Sequence, residues 1–71
     1  MAEEIHAEMV AGVMSVLVSV GDDVGIGDTL VVLESMKMEI PVLAERSGRV
    51  AEIAVSEGDV IQEGDLIVVL E

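Results

Sequence analysis

The sequence predicts an all-β domain, a small sandwich or flattened β-barrel built from two sheets with pseudo-twofold symmetry. Three observations support this prediction. Short runs rich in Val, Ile and Leu alternate with turn segments rich in Gly and Asp. No apolar period of 3.6 residues persists for ten residues, which disfavours helix. Much of the chain also repeats itself, so that two equivalent halves can bury their apolar faces against each other.

The repeat relates two copies at an offset of 37 positions. GDDVGIGDTLVVLE at residues 21–34 matches GDVIQEGDLIVVLE at residues 58–71. Weaker matches extend upstream, so the copies span 7–34 and 44–71. With 71 residues in total, 1–71 is expected to be one small domain with a thin core.

Each copy is expected to contain the same elements in the same order. EEIHAEM, near the N-terminus, could form one helical turn, but an edge strand is the favoured interpretation. VMSVLV and VAEIAV are rich in β-branched residues and suit strands. VGDDVGIGD and EGDVIQEGD are turn segments, in which Gly adopts positive φ and Asp bonds to nearby backbone. TLVVLE and LIVVLE are apolar enough to form buried strands.

The segment between the copies, 34–43, is predicted to be a hairpin that turns at Met36 and Lys37. Local signals do not show this turn, because TLVVLESMKMEIPVL lacks Gly, Asn and Asp and would otherwise be one unusually long strand. A shift of 37 from Lys37 falls just outside the chain at either end, so symmetry puts Lys37 opposite both termini. A tight turn here needs backbone angles that Met and Lys disfavour, which is typical of a functional site.

Composition argues against several functions. Three Lys and Arg against 15 acidic residues give a net charge of -12, which disfavours nucleic acid and anionic membranes as partners. The charge suits a basic protein surface, although it also simply keeps a small apolar domain in solution. The chain has no aromatic stacking platform and no cysteine. It shows neither a signal peptide nor an apolar run near the ~20 residues of a membrane span, so we expect a cytoplasmic protein.

Lys37 is the only lysine of the chain, and a methionine stands on each side of it. The simplest interpretation is a surface lysine that pairs with Glu34 or Glu39, at a gain of about 0–1 kcal/mol. Its uniqueness, its methionine neighbours and its place at the centre of the duplication all count against that interpretation. For Met36 and Met38 the alternative is gap filling in an adaptable apolar surface.

The motif Glu34-Ser35-Met36-Lys37-Met38 resembles that of the biotinyl domains of biotin-dependent carboxylases, the biotin carboxyl carrier proteins. That family carries Glu-(Ala or Ser)-Met-Lys-Met, and the resemblance covers nearly the whole chain. It implies the fold called a barrel-sandwich hybrid, a flattened β-barrel or sandwich of two four-stranded antiparallel sheets. It also implies that biotin is attached covalently to Lys37. Glu34, Ser35, Met36 and Met38 are then the flanks of the motif. In the family the two methionines matter more for recognition by carboxylases than for acylation of the lysine.

The resemblance implies a carrier module rather than an enzyme. A biotin protein ligase would use ATP to attach biotin to Lys37, and the tethered biotin would carry a carboxyl group between biotin carboxylase and carboxyltransferase sites. No catalytic residue and no metal site is predicted, and His6 is assigned a structural or solvent-facing role.

Two alternatives stay open. One is a lipoyl-type carrier domain of an acyl-transfer complex, in which the lysine usually follows Asp and precedes a small residue such as Ala. The other is an orphan β-sandwich adaptor, biotinylated or unmodified, without a carboxylase partner.

The sequence departs from the family pattern in several places. Glu8 and Glu45 stand where Pro is common, and Ala11 stands where Gly is expected, whereas Gly48 is in place. The stretch 16–30 leaves no room for the thumb loop of some bacterial carriers. No Ala/Pro-rich linker precedes the domain and the chain starts with Met, so we expect a free-standing carrier.

Overall fold

The computed structural model describes residues 2–71, which form two four-stranded antiparallel sheets. The strands are β1 Glu3–His6, β2 Ala11–Val16, β3 Asp23–Val24, β4 Thr29–Ser35, β5 Met38–Leu43, β6 Gly48–Ile53, β7 Val60–Ile61 and β8 Leu66–Leu70. One sheet has the order β1-β8-β6-β3 and the other the order β5-β4-β2-β7. The predicted all-β sandwich is confirmed, and the N-terminal segment forms an edge strand rather than a helical turn.

The core lies between the two sheets and is aliphatic. Strands β4 and β8 each have a neighbour on both sides, and their apolar stretches contribute most of the deeply buried side chains. The largest fully buried side chains are Leu30, Val31, Val50, Ile67, Val68 and Leu70. Within residues 2–71 no polar or charged residue is buried as a whole, so burial of apolar surface is the main stabilising contribution.

The two halves of the chain correspond strand by strand at the offset of 37. β1 corresponds to β5, β2 to β6, β3 to β7 and β4 to β8, and the two sheets have the same order under this exchange. Hydrogen bonds between the halves also come in pairs. The Gly21 N–H donates to the Val50 carbonyl at 2.8 Å, and the Gly58 N–H donates to the Val13 carbonyl at 2.9 Å. Each half therefore completes the hydrogen bonding of the other.

Aspartate side chains close the tight turns of both halves. The Ser19 N–H donates to the Asp22 carboxylate at 2.8 Å, and the Ser56 N–H donates to the Asp59 carboxylate at 2.9 Å. The same contact joins Gly25 to Asp28 at 2.8 Å and Gln62 to Asp65 at 2.9 Å. The residue before each aspartate is a glycine with φ between 89° and 97°, a conformation that residues with a Cβ rarely adopt.

The C-terminal end of β8 packs closely on β6. A Cβ on Gly48 would lie only 2.7 Å from the backbone oxygen of Glu71, which explains why this position is glycine. Its counterpart in the first half is Ala11, whose methyl group joins the core at 5% exposure.

Between β2 and β4 the chain contains only β3 and its flanking turns, so the predicted lack of a thumb loop is confirmed. No helix in the described part of the chain is long and apolar enough to cross a membrane.

Candidate attachment site

The hairpin formed by β4 and β5 ends in a two-residue turn at Met36 and Lys37. Ser35 pairs with Met38, and Glu34 pairs with Glu39, so the strands stay in register up to the turn. The φ angles are 54° at Met36 and 65° at Lys37. A two-residue hairpin loop with positive φ at both central positions has the form of a type I′ turn, which normally contains Asn-Gly or a similar pair.

This turn is unfavourable for the two residues that form it. The left-handed conformation costs a residue with a Cβ roughly 1–2 kcal/mol. The other positive-φ positions in residues 2–71 are all glycines: Gly21, Gly27, Gly58 and Gly64. At the hairpin tip, two residues with long side chains therefore adopt the positive-φ conformation that only glycines adopt elsewhere in residues 2–71. Backbone strain of this kind concentrates at functional sites.

All three residues of the Met-Lys-Met sequence project from the fold into solvent. Lys37 is exposed, Met36 is 91% exposed and Met38 is 65% exposed. Met36 and Met38 are thus largely in solvent, and whether they serve recognition or only fill gaps in an adaptable surface stays a prediction. None of the ion pairs within residues 2–71 includes Lys37. The surface ion pair considered for this lysine is absent, and its amine is open to a reaction partner.

The strand pairing shows where the hairpin tip lies relative to the C-terminus. β2 begins beside the tip, where Gly12 pairs with Glu34, and runs away from it. At the far end of that run Asp23 pairs with Arg49, which exchanges two 2.8 Å hydrogen bonds with Glu71. The hairpin and the C-terminus therefore lie at opposite ends of the sandwich, whose longest dimension is 32 Å.

The structure brings the motif residues together at this tip. Glu34 is exposed on the outer side of the sheet, and Ser35 is half-buried at the last pair before the turn. Their functional role stays a prediction. An exposed amine with no ionic partner, on a turn held by a full-length strand pair, suits covalent attachment of an acid through an amide bond.

Elsewhere in residues 2–71, the polar side chains do not form a second reactive cluster. His6 lies on the other sheet, with Nδ1 3.0 Å from the Gly64 carbonyl oxygen and Nε2 3.1 Å from Oε1 of Glu4. These partners hold the ring at the surface of β1. Across residues 2–71 no three His, Asp or Glu side chains are arranged to hold a metal ion.

A duplicated β-sandwich that presents a lysine on a strained hairpin is the architecture of the biotin/lipoyl carrier domains. The chain belongs to the biotin/lipoyl attachment family: the family described as "Biotin-requiring enzyme" matches residues 3–70. The resemblance to biotinyl domains is thereby confirmed.

Known proteins of this family are similar along much of the chain. "Biotinylated protein TB7.3 homolog" of Mycobacterium leprae (strain TN) is 63% identical over 52 residues, which is 73% of each chain. The urea carboxylase of Kluyveromyces lactis superimposes on all of this chain with a TM-score of 0.92 and 35% identity. This chain spans only 6% of that carboxylase.

A lipoyl domain is also similar in structure. The lipoyl domain of the 2-oxoglutarate dehydrogenase complex from Azotobacter vinelandii superimposes on 96% of this chain with a TM-score of 0.83 and 30% identity, and 94% of that domain is covered. The fold is thus shared by carriers of either cofactor, and the motif at the tip has to distinguish them.

Proposed function

We propose that this chain is a biotin carboxyl carrier whose biotin is attached to Lys37. The observation that carries the proposal is the hairpin tip: a sole lysine, exposed and without an ion pair, between two exposed methionines on a positive-φ turn. Relatives that are biotinylated proteins, and a carboxylase domain of the same fold, support biotin as the group attached.

Attachment requires an external enzyme. A lysine amine is almost wholly protonated at neutral pH, so it acylates slowly without help. In our proposal a biotin protein ligase activates the carboxyl group of biotin with ATP. This activation releases pyrophosphate. The Lys37 nitrogen, after losing the proton of its ammonium form, attacks the activated carboxyl carbon, forms the amide with loss of a second proton, and releases AMP. The amide is uncharged, so the formal net charge changes from -12 to -13.

The fold contributes a fixed position for the lysine. Because β4 and β5 pair up to the last residue before the turn, the ligase meets an ordered tip and little conformational entropy is lost on binding. When bound, biotin supplies the carboxyl-carrying chemistry, and Lys37 supplies a long tether. The tether converts diffusion between a biotin carboxylase and a carboxyltransferase into a local search at raised effective concentration.

The two methionines suit recognition of several partners in turn. Met36 and Met38 present unbranched, polarisable side chains to solvent beside the lysine. Such side chains adapt to differently shaped surfaces. In this proposal the domain has no catalytic group of its own. Its partners are the ligase, the biotin carboxylase and the carboxyltransferase. We place the protein and these partners in the cytoplasm.

The lipoyl alternative has one specific observation in its favour, the close structural match to a lipoyl domain. The methionine before Lys37, where lipoyl domains usually have Asp, favours biotin. An orphan biotinylated protein would share the hairpin and differ only in lacking a carboxylase partner.

Two measurements test the proposal. The intact mass of the chain, expressed in a host supplied with both biotin and lipoate, is expected to rise by biotin less one water. A rise that matches lipoate would replace biotin by the alternative. An unmodified chain after treatment with purified ligase, biotin and ATP would contradict the attachment of biotin. The biotinylated chain, incubated with a bacterial biotin carboxylase, ATP and labelled bicarbonate, is then expected to acquire acid-labile label. The Lys37→Arg variant serves as the control.

A further inference from the structure

The outer faces of the two sheets differ, although the sheets correspond residue by residue. The sheet that carries the hairpin has an apolar outer face, formed by Met14, Val32, Pro41, Leu43 and Val60, which we call the apolar face. Their counterparts at the offset of 37 on the other sheet are, in the same order, Ala51, Val69, Glu4, His6 and Asp23. Three of the five apolar positions are thus polar or charged on the related sheet, so the fold itself does not require apolar residues there.

The apolar face reaches from β7 to β5 and is interrupted on β2 by Gly12 and Ser15. Val60 of β7 pairs with Gly12 of β2, and Val32 of β4 pairs with Pro41 of β5. Val60 is 74% exposed, Leu43 45% and Met14 44%. With strands about 4.8 Å apart and a rise of about 3.3 Å per residue, the face covers on the order of 300–400 Å². Contiguous apolar patches of a few hundred Å² mark interaction sites.

The apolar face adjoins the attachment site. Pro41 lies three residues from Met38, the first residue after the turn, so the centre of the face is roughly 10 Å from the turn. Between them, on the same side of the sheet, lie the paired carboxylates of Glu34 and Glu39. Any enzyme that binds Lys37 in its active site has to contact this region with its own surface.

We infer that the apolar face is the docking surface for the biotin protein ligase, with Glu34 and Glu39 contacting basic residues at the entrance of the ligase's active site. This inference rests on the proposed function. An enzyme that binds ATP and an acyl-adenylate surrounds these anions with Lys and Arg. Carboxylates beside Lys37 complement such an entrance, and the apolar face supplies the desolvated contact.

Other occupants fit this surface less well. In a symmetric dimer through the same face, Glu34 and Glu39 of two strongly acidic chains would repel each other. An added β-strand is hindered by Pro41 on the edge strand β5, because proline offers no N–H to a new neighbour. An area of this size also belongs to the weak, transient class of interfaces, which suits a partner that has to leave after one modification.

The test uses substitutions that copy the residues of the related sheet. Met14→Ala, Pro41→Glu and Val60→Asp each introduce the counterpart found at the same place in the other half, so they are compatible with this fold. We expect the triple variant to lower kcat/KM for biotinylation by purified biotin protein ligase at least tenfold, followed by intact mass. Arg49→Glu, on the opposite sheet, changes the net charge by the same two units and is expected to stay within twofold of the parent.

Each result decides a different point. A triple variant modified at the parental rate would overturn the docking surface, and so would an Arg49→Glu variant that is impaired as strongly. Light scattering that shows a dimer of the parent, lost in the triple variant, would assign the face to a second copy. If neither the parent nor the Arg49→Glu variant is modified, the proposed function itself fails.

A second measurement keeps the inference testable if the triple variant unfolds. The Lys37→Arg chain cannot accept biotin and is expected to compete with the parent for the ligase. Adding the single, uncharged substitution Val60→Asn on the short strand β7 is expected to raise its inhibition constant at least threefold. An unchanged inhibition constant would overturn the inference.

Discussion

Met36 and Lys37 adopt a backbone conformation that local sequence preference disfavours. Both residues have positive φ, and neither belongs to the types that adopt it readily. The segment around them contains no turn signal, and only the offset between the two copies located the turn. Residue-level rules failed here because they describe what the backbone prefers, whereas in the proposed function the side chains at this turn serve a partner.

We predict that Met36→Asn stabilises the domain. Asn tolerates the left-handed conformation, and the Met36 side chain makes little buried contact at 91% exposure. We expect a gain of about 0.5–1 kcal/mol, which for a domain of this size raises Tm by several degrees in thermal unfolding. Met38→Asn, at an exposed strand position where Asn is disfavoured, is the control and is expected to lower Tm. A Met36→Asn variant that is less stable than the parent would show that the turn is not strained.

A second prediction concerns recognition by the methionines. The double variant Met36→Leu, Met38→Leu keeps apolar side chains but loses the flexible thioether. We expect the ligase to biotinylate it at the parental rate, while a biotin carboxylase turns it over several-fold more slowly. Equal carboxylation of variant and parent, both measured with fully biotinylated chains, would show that the methionines have no specific role.

At the scale of the elements, the turns were more predictable than the shortest strands. Gly-Asp pairs mark the positions of positive φ and of carboxylate acceptors, and the sequence shows both directly. Strands β3 and β7, with two residues each, lie inside segments assigned to turns. They are strands only because they pair with β6 and β2 of the other half, a tertiary contact that no local pattern reveals.

The aspartate turns give a prediction with a control provided by the duplication. Asp22→Ala and Asp59→Ala each remove the acceptor for one backbone N–H, at Ser19 and Ser56. We expect each to lower the free energy of unfolding by about 1–2 kcal/mol in urea titrations, and the two losses to agree within about 0.5 kcal/mol. Asp23→Ala removes only an exposed ion pair with Arg49 and is expected to cost less than about 1 kcal/mol. Losses that differ widely between the two turns would contradict their equivalence.

The identity of the outward-facing residues lies beyond what the pattern of each strand predicts. Alternation of apolar and polar residues shows which side of a strand is buried. Val60 and Leu43, however, are apolar residues on the exposed side of their strands. Comparison of each with its partner in the other copy, Asp23 and His6, is the signal that could have found the apolar face from sequence.

At the scale of the whole molecule, the large net negative charge destabilises the folded state. Fifteen acidic residues against three Lys and Arg surround a core that is thin for its surface. Mutual repulsion of like charges destabilises a compact state, and salt screens it. The acidic surface thus lowers stability while it favours contact with a basic partner.

We therefore predict that salt raises the stability of the domain. Between about 10 mM and about 150 mM KCl the Debye length falls from about 30 Å to about 8 Å. Tm is expected to rise by several degrees over this range, and NaCl is expected to act equally because screening depends on ionic strength. A fall in Tm would mean that the exposed ion pairs, which salt also weakens, outweigh the repulsion.

The central claim, biotin on Lys37, is tested most directly by tryptic mapping of the chain after treatment with biotin protein ligase, biotin and ATP. Trypsin cleaves after Lys37, Arg46 and Arg49, and it does not cleave after an acylated lysine. We predict an uncut peptide of residues 1–46 that is heavier by biotin less one water, with fragment ions that assign the added mass to position 37. Complete cleavage after Lys37, or the added mass on another residue, would contradict the account.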